Sequence, residues 1–307
     1  MFKAGYVSVV GKPNAGKSTL INKLVGYKVA ITAPKPQTTR FNVKGIITSK
    51  TSQIIFLDTP GVHKPKNKMG KYMMTGVSNA VNGANTIIYL IDGTKPKIDD
   101  ITEKILQDIS KLKKKVIFCI NKIDKIDKSK LFDIILMYTD LAKDNNVIFT
   151  DVIPISVFKD DGLDILIKSI ENTLDESEML FEEDEITDIT EREIVEENIR
   201  EKLLKNYEEE IPHGVNVVVD SFKERTNING DLTYDIEASI ICERNSHKAI
   251  LIGDSGKKIR HITNLARQDI SKVLEVKINL KLFVKVKEDW VNSENHLKNI
   301  KFRNNQK

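Results

Sequence analysis

Cysteine and long apolar runs are scarce in this chain of 307 residues. Its two cysteines, Cys119 and Cys242, lie far apart and form no C-x-x-C pair, which argues against a disulfide framework or a zinc site. No apolar run reaches the length that spans a bilayer. The first residues lead directly into a strand-like segment and leave no room for a signal peptide. We therefore expect a cytoplasmic protein whose cysteines are small core residues.

Composition and length predict two folded domains. Hydrophobic residues make up 40% and charged residues 30% of the chain, which is typical of a globular protein and not of a disordered one. A chain of this length is long enough for two domains that each bury a core. The net charge of +4 is mild, so the distribution of charge is more informative than its sum.

The first half of the chain alternates short apolar runs with amphipathic stretches. The runs cover residues 6–10, 53–57, 86–91, 116–120 and 147–155, and the amphipathic stretches cover 100–112 and 161–174. Continuous apolar strands that alternate with helices predict a mostly parallel sheet covered on both faces. Residues 1–175 are therefore predicted to form a doubly wound α/β domain.

A second, α+β module is predicted after an acidic linker at residues 176–190. The predicted elements are a helix at 191–209, strands at 215–222 and 232–242 joined by an Asn-Gly hairpin signal at 227–230, a helix at 257–274 and a strand at 276–286. This module covers residues 191–290 and leaves a tail at 291–307.

A phosphate-binding loop is predicted between the first strand and the first helix. Its G-x-x-x-x-G-K-S sequence consists of Gly11, Lys12, Pro13, Asn14, Ala15, Gly16, Lys17 and Ser18, and Thr19 follows it. Backbone N–H groups and a helix N-terminus can surround phosphates here, Lys17 can reach the β and γ groups, and the Ser18 hydroxyl can bind Mg²⁺. A chance Gly-rich turn is the alternative, but the flanking strand and helix favour a nucleoside triphosphate site.

Three further motifs follow predicted strands. Asp58-Thr59-Pro60-Gly61 provides a carboxylate that can hold Mg²⁺ and a glycine amide that can face the γ-phosphate. In Asn121-Lys122-Ile123-Asp124, the last carboxylate can accept two hydrogen bonds from N1–H and the 2-amino group of guanine, a donor pair that adenine lacks. A Lys/Asp-rich turn is the alternative for this motif. Ile155-Ser156-Val157 is predicted to close over the base through its backbone.

Together with Gln37-Thr38-Thr39-Arg40, these motifs resemble the Era family of bacterial GTPases, which is related to the translation-factor GTPases. The resemblance implies binding of GTP and GDP, hydrolysis of GTP, and a Mg²⁺ site formed by Ser18, Thr39 and Asp58. Lys17, Thr39, Gly61 and Asn14 are the implied catalytic residues.

Four residues near the motifs have more than one possible interpretation or depart from the pattern of related GTPases. Val62 occupies the position of the water-orienting Gln of Ras-like proteins, so intrinsic hydrolysis is expected to be slow. Asn14 matches the asparagine of relatives that recruit K⁺ in place of an arginine finger. Arg40 could act on the transition state, and His63 could act as a general base, but we interpret Arg40 as a solvated loop residue and His63 as a mobile one.

The second module contains a G-x-x-G turn typical of KH domains. Its residues are Ile252, Gly253, Asp254, Ser255, Gly256, Lys257, Lys258 and Ile259. Such a turn lets the backbone approach single-stranded RNA. The order of elements resembles a type II KH domain, and residues 278–290 resemble the end of the KH domain of the Era family. Positive charges after the turn support RNA binding, although Asp254 places an anion within it.

The resemblance implies a monomeric GTP-dependent switch that binds the 3′ end of small-subunit ribosomal RNA, and not DNA, and that assists assembly of the small ribosomal subunit. Weak peripheral association with the membrane is compatible with it. The alternative is a GTP-dependent protein-interaction or membrane-peripheral switch in cell-cycle control, with the α+β module as a protein-binding platform.

Overall fold

The computed structural model describes residues 1–35, 37–209, 211, 214–226 and 230–293. It contains two compact units, one formed by Met1–Lys64 and Tyr72–Asp188, the other by Pro65–Lys71 and the residues from Ile189 onward. The predicted hairpin turn falls on residues 227–230, of which only Gly230 is described, and most of the predicted tail at 291–307 lies outside the described residues.

The first unit is built on a six-stranded sheet in the order β2-β3-β1-β4-β5-β6, in which only β2 is antiparallel to its neighbour. Its strands are β1 Lys3–Val10, β2 Val43–Thr48, β3 Ser52–Asp58, β4 Thr86–Asp92, β5 Lys115–Asn121 and β6 Asp151–Pro154. Its helices are α1 Lys17–Val25, α2 Lys68–Gly83, α3 Asp100–Ser110, α4 Lys128–Asp144 and α5 Leu163–Thr173. Two apolar clusters contain alternate side chains of these strands, so both faces of the sheet are buried. The predicted doubly wound fold is confirmed.

Three elements of this unit have no counterpart in the sequence prediction. The helix α2 contains three glycines in KMGKYMMTGVSNAVNG, and such a composition has low intrinsic helix propensity. The strand β2 contains Gly45, where a Cβ would lie 2.8 Å from Val25 and 2.9 Å from Ile21. α4 was the third. The predicted run at 147–155 is too long, because only Asp151–Pro154 is strand and Ile148 is 85% exposed.

The predicted acidic linker pairs with the edge of this sheet. Thr187 forms a β-bridge with Gly45, and the Ile46 N–H donates to the carbonyl oxygen of Ile186 at 2.8 Å. Lys44 forms an ion pair with Asp188 at 3.0 Å, and the Lys44 N–H donates to the same carboxylate at 3.1 Å. An edge strand carries backbone groups that need partners, and residues 186–188 supply them. We call residues 186–188 the β2 clasp; they belong to the first unit.

The second unit contains the predicted helix, two strands, helix and strand in that order, and the structure adds a short helix before the second predicted helix, which gives the order α-β-β-α-α-β. Its elements are α6 Glu191–Asn206, β7 Val215–Thr226, β8 Leu232–Cys242, α7 Asn245–Ile252, α8 Lys257–Leu274 and β9 Lys277–Val286. The strand β7 is antiparallel and β9 parallel to β8. Thr190 and Glu193 form a capping box at the start of α6. Trp290 is fully buried and donates its indole N–H to the carbonyl oxygen of Gly214 at 3.0 Å.

Among the described residues, no helix is both long and apolar enough to cross a membrane.

Candidate guanine-nucleotide and RNA sites

The phosphate loop joins β1 to α1, and its glycines are required by close packing. A Cβ at Gly11 would lie 2.1 Å from the carbonyl oxygen of Leu90. Gly16 has φ +103°, and a Cβ there would lie 2.3 Å from Nδ2 of Asn121. The loop backbone is thereby held at the N-terminus of α1, where its free N–H groups and the helix dipole favour an anion.

Lys17 is buried at the centre of this loop. Its Nζ donates to the carbonyl oxygens of Gly11 at 3.2 Å and Lys12 at 3.1 Å. Burial lowers the pKa of Lys17 to about 8, although Asp58 acts in the opposite direction. A buried ammonium group that donates its hydrogen bonds to neutral carbonyls is stabilised when an anionic phosphate enters the loop.

The three predicted Mg²⁺ ligands lie together. Asp58 Oδ2 accepts hydrogen bonds from the hydroxyls of Ser18 at 2.7 Å and Thr39 at 3.1 Å, and the two hydroxyl oxygens are 2.9 Å apart. Asp58 is fully buried, and its Oδ1 accepts no hydrogen bond from the described residues. Burial raises the pKa of this carboxyl group against the effect of the Ser18 hydrogen bond. A buried carboxylate with an unsatisfied oxygen and two adjacent hydroxyls fits a hard divalent cation such as Mg²⁺.

The segment after Asp58 contacts the phosphate loop. Thr59 is buried and donates its hydroxyl to the carbonyl oxygen of Val9 at 2.8 Å, and Pro60 follows it. A Cβ at Gly61 would lie 2.9 Å from Pro13. The Val62 N–H donates to the carbonyl oxygen of Gly11 at 3.2 Å, while the Val62 side chain packs against an apolar cluster of the sheet. A side chain in this position cannot orient water, which agrees with the slow hydrolysis predicted above.

The predicted base-binding motifs are joined by hydrogen bonds. Asn121 donates through Nδ2 to the carbonyl oxygen of Ala15 at 2.9 Å and accepts through Oδ1 from the N–H of Val157 at 3.3 Å. Ser156 Oγ donates to Asp124 Oδ1 at 2.6 Å, and the Ile123 N–H donates to the carbonyl oxygen of Ile155 at 3.3 Å. Asp124 is exposed, so its carboxylate is accessible to a base. The phosphate loop and the motifs that begin at Asp58, Asn121 and Ile155 thus converge at the carboxyl ends of the parallel strands.

Asp92 is part of this site, and the sequence prediction missed it. Its carboxylate accepts hydrogen bonds from Nζ of Lys122 at 2.5 Å and from the hydroxyl of Thr94 at 2.6 Å. Although burial opposes the shift, these hydrogen bonds hold the pKa of Asp92 below its usual value. The Lys122 Nζ also donates to the carbonyl oxygen of Asn14 at 3.2 Å. Asp92 therefore fixes the lysine that links the base motif to the phosphate loop; its sequence signal was a carboxylate at the end of β4.

Two loop residues lie in unexpected surroundings. Arg40 is only 3% exposed, so its interpretation as a solvated residue is wrong. His63 is half-buried and hydrogen-bonded to the Gly61 carbonyl oxygen, and not a side chain free in solvent. Asn14 has φ +63° and donates through Nδ2 to the carbonyl oxygen of Pro34 at 3.2 Å. Its side-chain amide therefore bridges the phosphate loop and the segment that leads to Thr39.

The G-x-x-G turn lies between α7, which ends at Ile252, and α8. Gly253, Ser255 and Gly256 all have positive φ, at 67°, 49° and 74°. The Arg260 guanidinium donates to the carbonyl oxygens of Ser255 and, at 3.3 Å, Gly256. Lys257 and Lys258 are exposed beside the turn, as is Asp254, and Ile259 packs against the apolar core. The turn therefore presents backbone, two cations and one anion to solvent.

Two basic residues of β9 are less available than those at the turn. Lys281 forms an ion pair with Glu237 at 3.2 Å, and Lys285 forms one with Asp220 at 3.3 Å. The lysines nearest the turn are therefore the stronger candidates for contact with phosphates.

Family comparisons identify both units. Residues 6–122 match the family described as "50S ribosome-binding GTPase", and residues 210–291 match the KH domain family. GTPase Era of Clostridioides difficile is 46% identical over 301 residues, which cover 98% of each chain. GTPase Era of Ruminiclostridium cellulolyticum is 44% identical over 305 residues, which cover 99% of each chain. The chain belongs to the Era family of GTPases.

Solved structures of Era share the whole fold. A crystal structure of Era in complex with MgGDPNP and nucleotides 1506–1542 of 16S ribosomal RNA has a TM-score of 0.91 and 37% identity, and the match covers 97% of this chain and 98% of that one. A variant of Aquifex aeolicus Era bound to GDP and AlF₄⁻ has a TM-score of 0.90 and 36% identity over the same shares. The Era family therefore accounts for the GTPase domain, the KH domain and their order in the chain.

Proposed function

We propose that this protein is a GTP-dependent switch that binds the single-stranded 3′ end of small-subunit ribosomal RNA through its KH domain and assists assembly of the small ribosomal subunit. One observation carries the proposal: a complete guanine-nucleotide site and a KH turn with exposed backbone and cations occur in one chain. The complex of a relative with MgGDPNP and 16S ribosomal RNA supports it. The cytoplasmic location and the monomeric state expected from the sequence stay predictions.

The proposed chemistry assigns a task to each residue of the site. Lys17 and the loop N–H groups bind the phosphates and stabilise charge on the β–γ bridge during hydrolysis. Ser18, Thr39 and Asp58 would hold Mg²⁺, which would neutralise negative charge on the phosphates. Gly61 donates its N–H to the γ-phosphate, and Asp124 selects guanine. Loss of the γ-phosphate removes the group that Gly61 binds and that lies near Thr39. The loop that carries Gly61 and the loop that carries Thr39 are then released.

K⁺ is proposed as an additional cofactor. The Asn14 side chain donates through Nδ2 to the Pro34 carbonyl oxygen, so rotation of its amide group would bring the amide oxygen and that carbonyl together beside the phosphate loop. A monovalent cation there would supply the positive charge that an arginine finger supplies elsewhere. We expect GTP turnover to be about tenfold faster in KCl than in NaCl, and Asn14→Ala to abolish the difference. Equal wild-type rates in the two salts, measured by phosphate release at matched ionic strength, would contradict K⁺ binding.

The RNA-binding part of the proposal is tested at Gly256. A Cβ at Gly256 has no neighbour closer than 3.9 Å, whereas one at Gly253 would lie 2.7 Å from Lys258 Cγ. Asn and Asp both tolerate the positive φ of Gly256 and differ only in charge. We expect Gly256→Asp to weaken binding of a 3′ ribosomal RNA oligonucleotide about tenfold more than Gly256→Asn, because the carboxylate repels phosphates. Equal filter-binding affinities of wild type and Gly256→Asp would contradict binding at this turn and favour the protein-platform alternative.

A further inference from the structure

The peptide group between Gly61 and Val62 is hydrogen-bonded at both ends. Its N–H, which belongs to Val62, donates to the carbonyl oxygen of Gly11 at 3.2 Å. Its carbonyl oxygen, which belongs to Gly61, lies 2.9 Å from Nδ1 of His63. Glycine can adopt a wider range of backbone angles than any other residue, so a peptide beside it needs such contacts to keep one orientation.

The chemistry of the second contact determines where the His63 ring carries a proton. A carbonyl oxygen can only accept, so Nδ1 must donate, and His63 carries a proton on Nδ1. The other ring nitrogen, Nε2, is buried and has no hydrogen-bond partner among the described residues. Among the described residues, the hydrogen bond of the His63 ring is therefore the one from Nδ1 to the Gly61 carbonyl oxygen.

We propose that His63 is a positioning residue for GTP hydrolysis, which acts by holding the Gly61–Val62 peptide through its Nδ1–H group. The inference rests on the proposed function, in which the Gly61 N–H contacts the γ-phosphate. The Val62 side chain is apolar and packs against a core cluster, so it cannot position groups in the site. Backbone donors must then provide that function, and His63, by holding the Gly61 carbonyl, fixes the conformation of the residue whose own N–H faces the phosphates.

Three substitutions separate this role from the alternatives. His63→Asn retains a nitrogen donor at the δ position, His63→Gln places one at the ε position, and His63→Ala removes both. We expect His63→Ala and His63→Gln to lower kcat of the full-length protein about tenfold, and His63→Asn to retain kcat within about twofold. KM for GTP and the affinity for GDP should change little in all three, because the contact fixes the conformation of Gly61, whose own N–H, in the preceding peptide, senses the γ-phosphate.

The outcomes have distinct meanings. An unchanged kcat in His63→Ala, with normal wild-type hydrolysis, would overturn the positioning role and leave the proposed function intact. Retention of kcat in His63→Gln with loss in His63→Asn would also overturn it, because Nε2 would then be the working atom. A parallel loss of GDP affinity in His63→Ala would show general disruption of the site and would likewise overturn it. A wild-type protein that neither binds nor hydrolyses GTP would overturn the proposed function itself.

Discussion

Replacing Asp124 by Asn is expected to weaken binding of GTP and GDP by about 10²- to 10⁴-fold, because two hydrogen bonds from guanine to a carboxylate contribute about 3–6 kcal/mol. The Ser156 hydroxyl holds one oxygen of this carboxylate at 2.6 Å, so the protein itself orients the side chain. Asn keeps that oxygen and presents an amide N–H₂ group in place of the second oxygen. The amide cannot accept from the 2-amino group of guanine.

The same substitution is expected to create a site for xanthine nucleotides. Xanthine has a carbonyl oxygen at position 2, which can accept from the new amide while its N1–H donates to the amide oxygen. Binding of fluorescent guanosine and xanthosine diphosphates by titration provides the measurement. Asp127→Asn is the matched control, since Asp127 makes no capping hydrogen bond at α4 and its partner Lys130 lies 3.6 Å away at the surface. Wild-type guanine affinity in Asp124→Asn would contradict the assignment of the base site.

Much of the site could be predicted from the sequence, because its chemistry requires particular residues at the ends of strands. Gly11 and Gly16 have no room for a side chain, and Asp124 and Ser156 form one contact although 32 positions separate them. Each belongs to a motif whose function fixes the residue type. The strands β1, β3, β4 and β5 could be predicted as well, since each is a continuous apolar run that is buried on both faces.

The features that were missed depend on contacts between segments that are distant in the sequence. The burial of Arg40 and the ion pair of Asp92 with Lys122 arise where separate segments meet. The acidic composition of residues 176–190 is typical of a solvated linker, yet residues 186–188 pair with β2, which was itself unpredicted. Without β2, the sequence offered no edge for that segment to join. Local propensity cannot reveal such pairings.

The β2 clasp suggests how the nucleotide site is connected to the RNA-binding domain. Thr39 lies at the Mg²⁺ site, and β2 begins at Val43, four positions later. Asp188 holds Lys44 of that strand through its carboxylate, and α6 begins only three residues after Asp188, at a capping box that starts with Thr190. A change at Thr39 on loss of the γ-phosphate would therefore occur only a few residues from β2. The β2 clasp, which pairs with this strand, lies only a few residues before the start of the KH unit. We expect this connection to make RNA affinity depend on the bound nucleotide.

The expected size of that dependence follows from linkage. Coupling between two binding sites is typically about 1–3 kcal/mol, which corresponds to about a 5- to 150-fold change in affinity. The relative that holds 16S ribosomal RNA also holds MgGDPNP, so we expect the triphosphate state of this protein to bind RNA more tightly than the diphosphate state. By the same linkage, RNA should raise the affinity for the triphosphate analogue by the same factor. Asp188→Ala, which removes the Lys44 ion pair, should reduce the factor without changing the affinity for either nucleotide alone.

The most direct measurement is the equilibrium affinity of the full-length protein for a single-stranded oligonucleotide of the 3′ end of small-subunit ribosomal RNA, determined at fixed salt with Mg²⁺ and either GDPNP or GDP. The account predicts at least about fivefold tighter binding with GDPNP. Equal affinities with the two nucleotides would contradict the claim that GTP governs how this KH domain holds RNA.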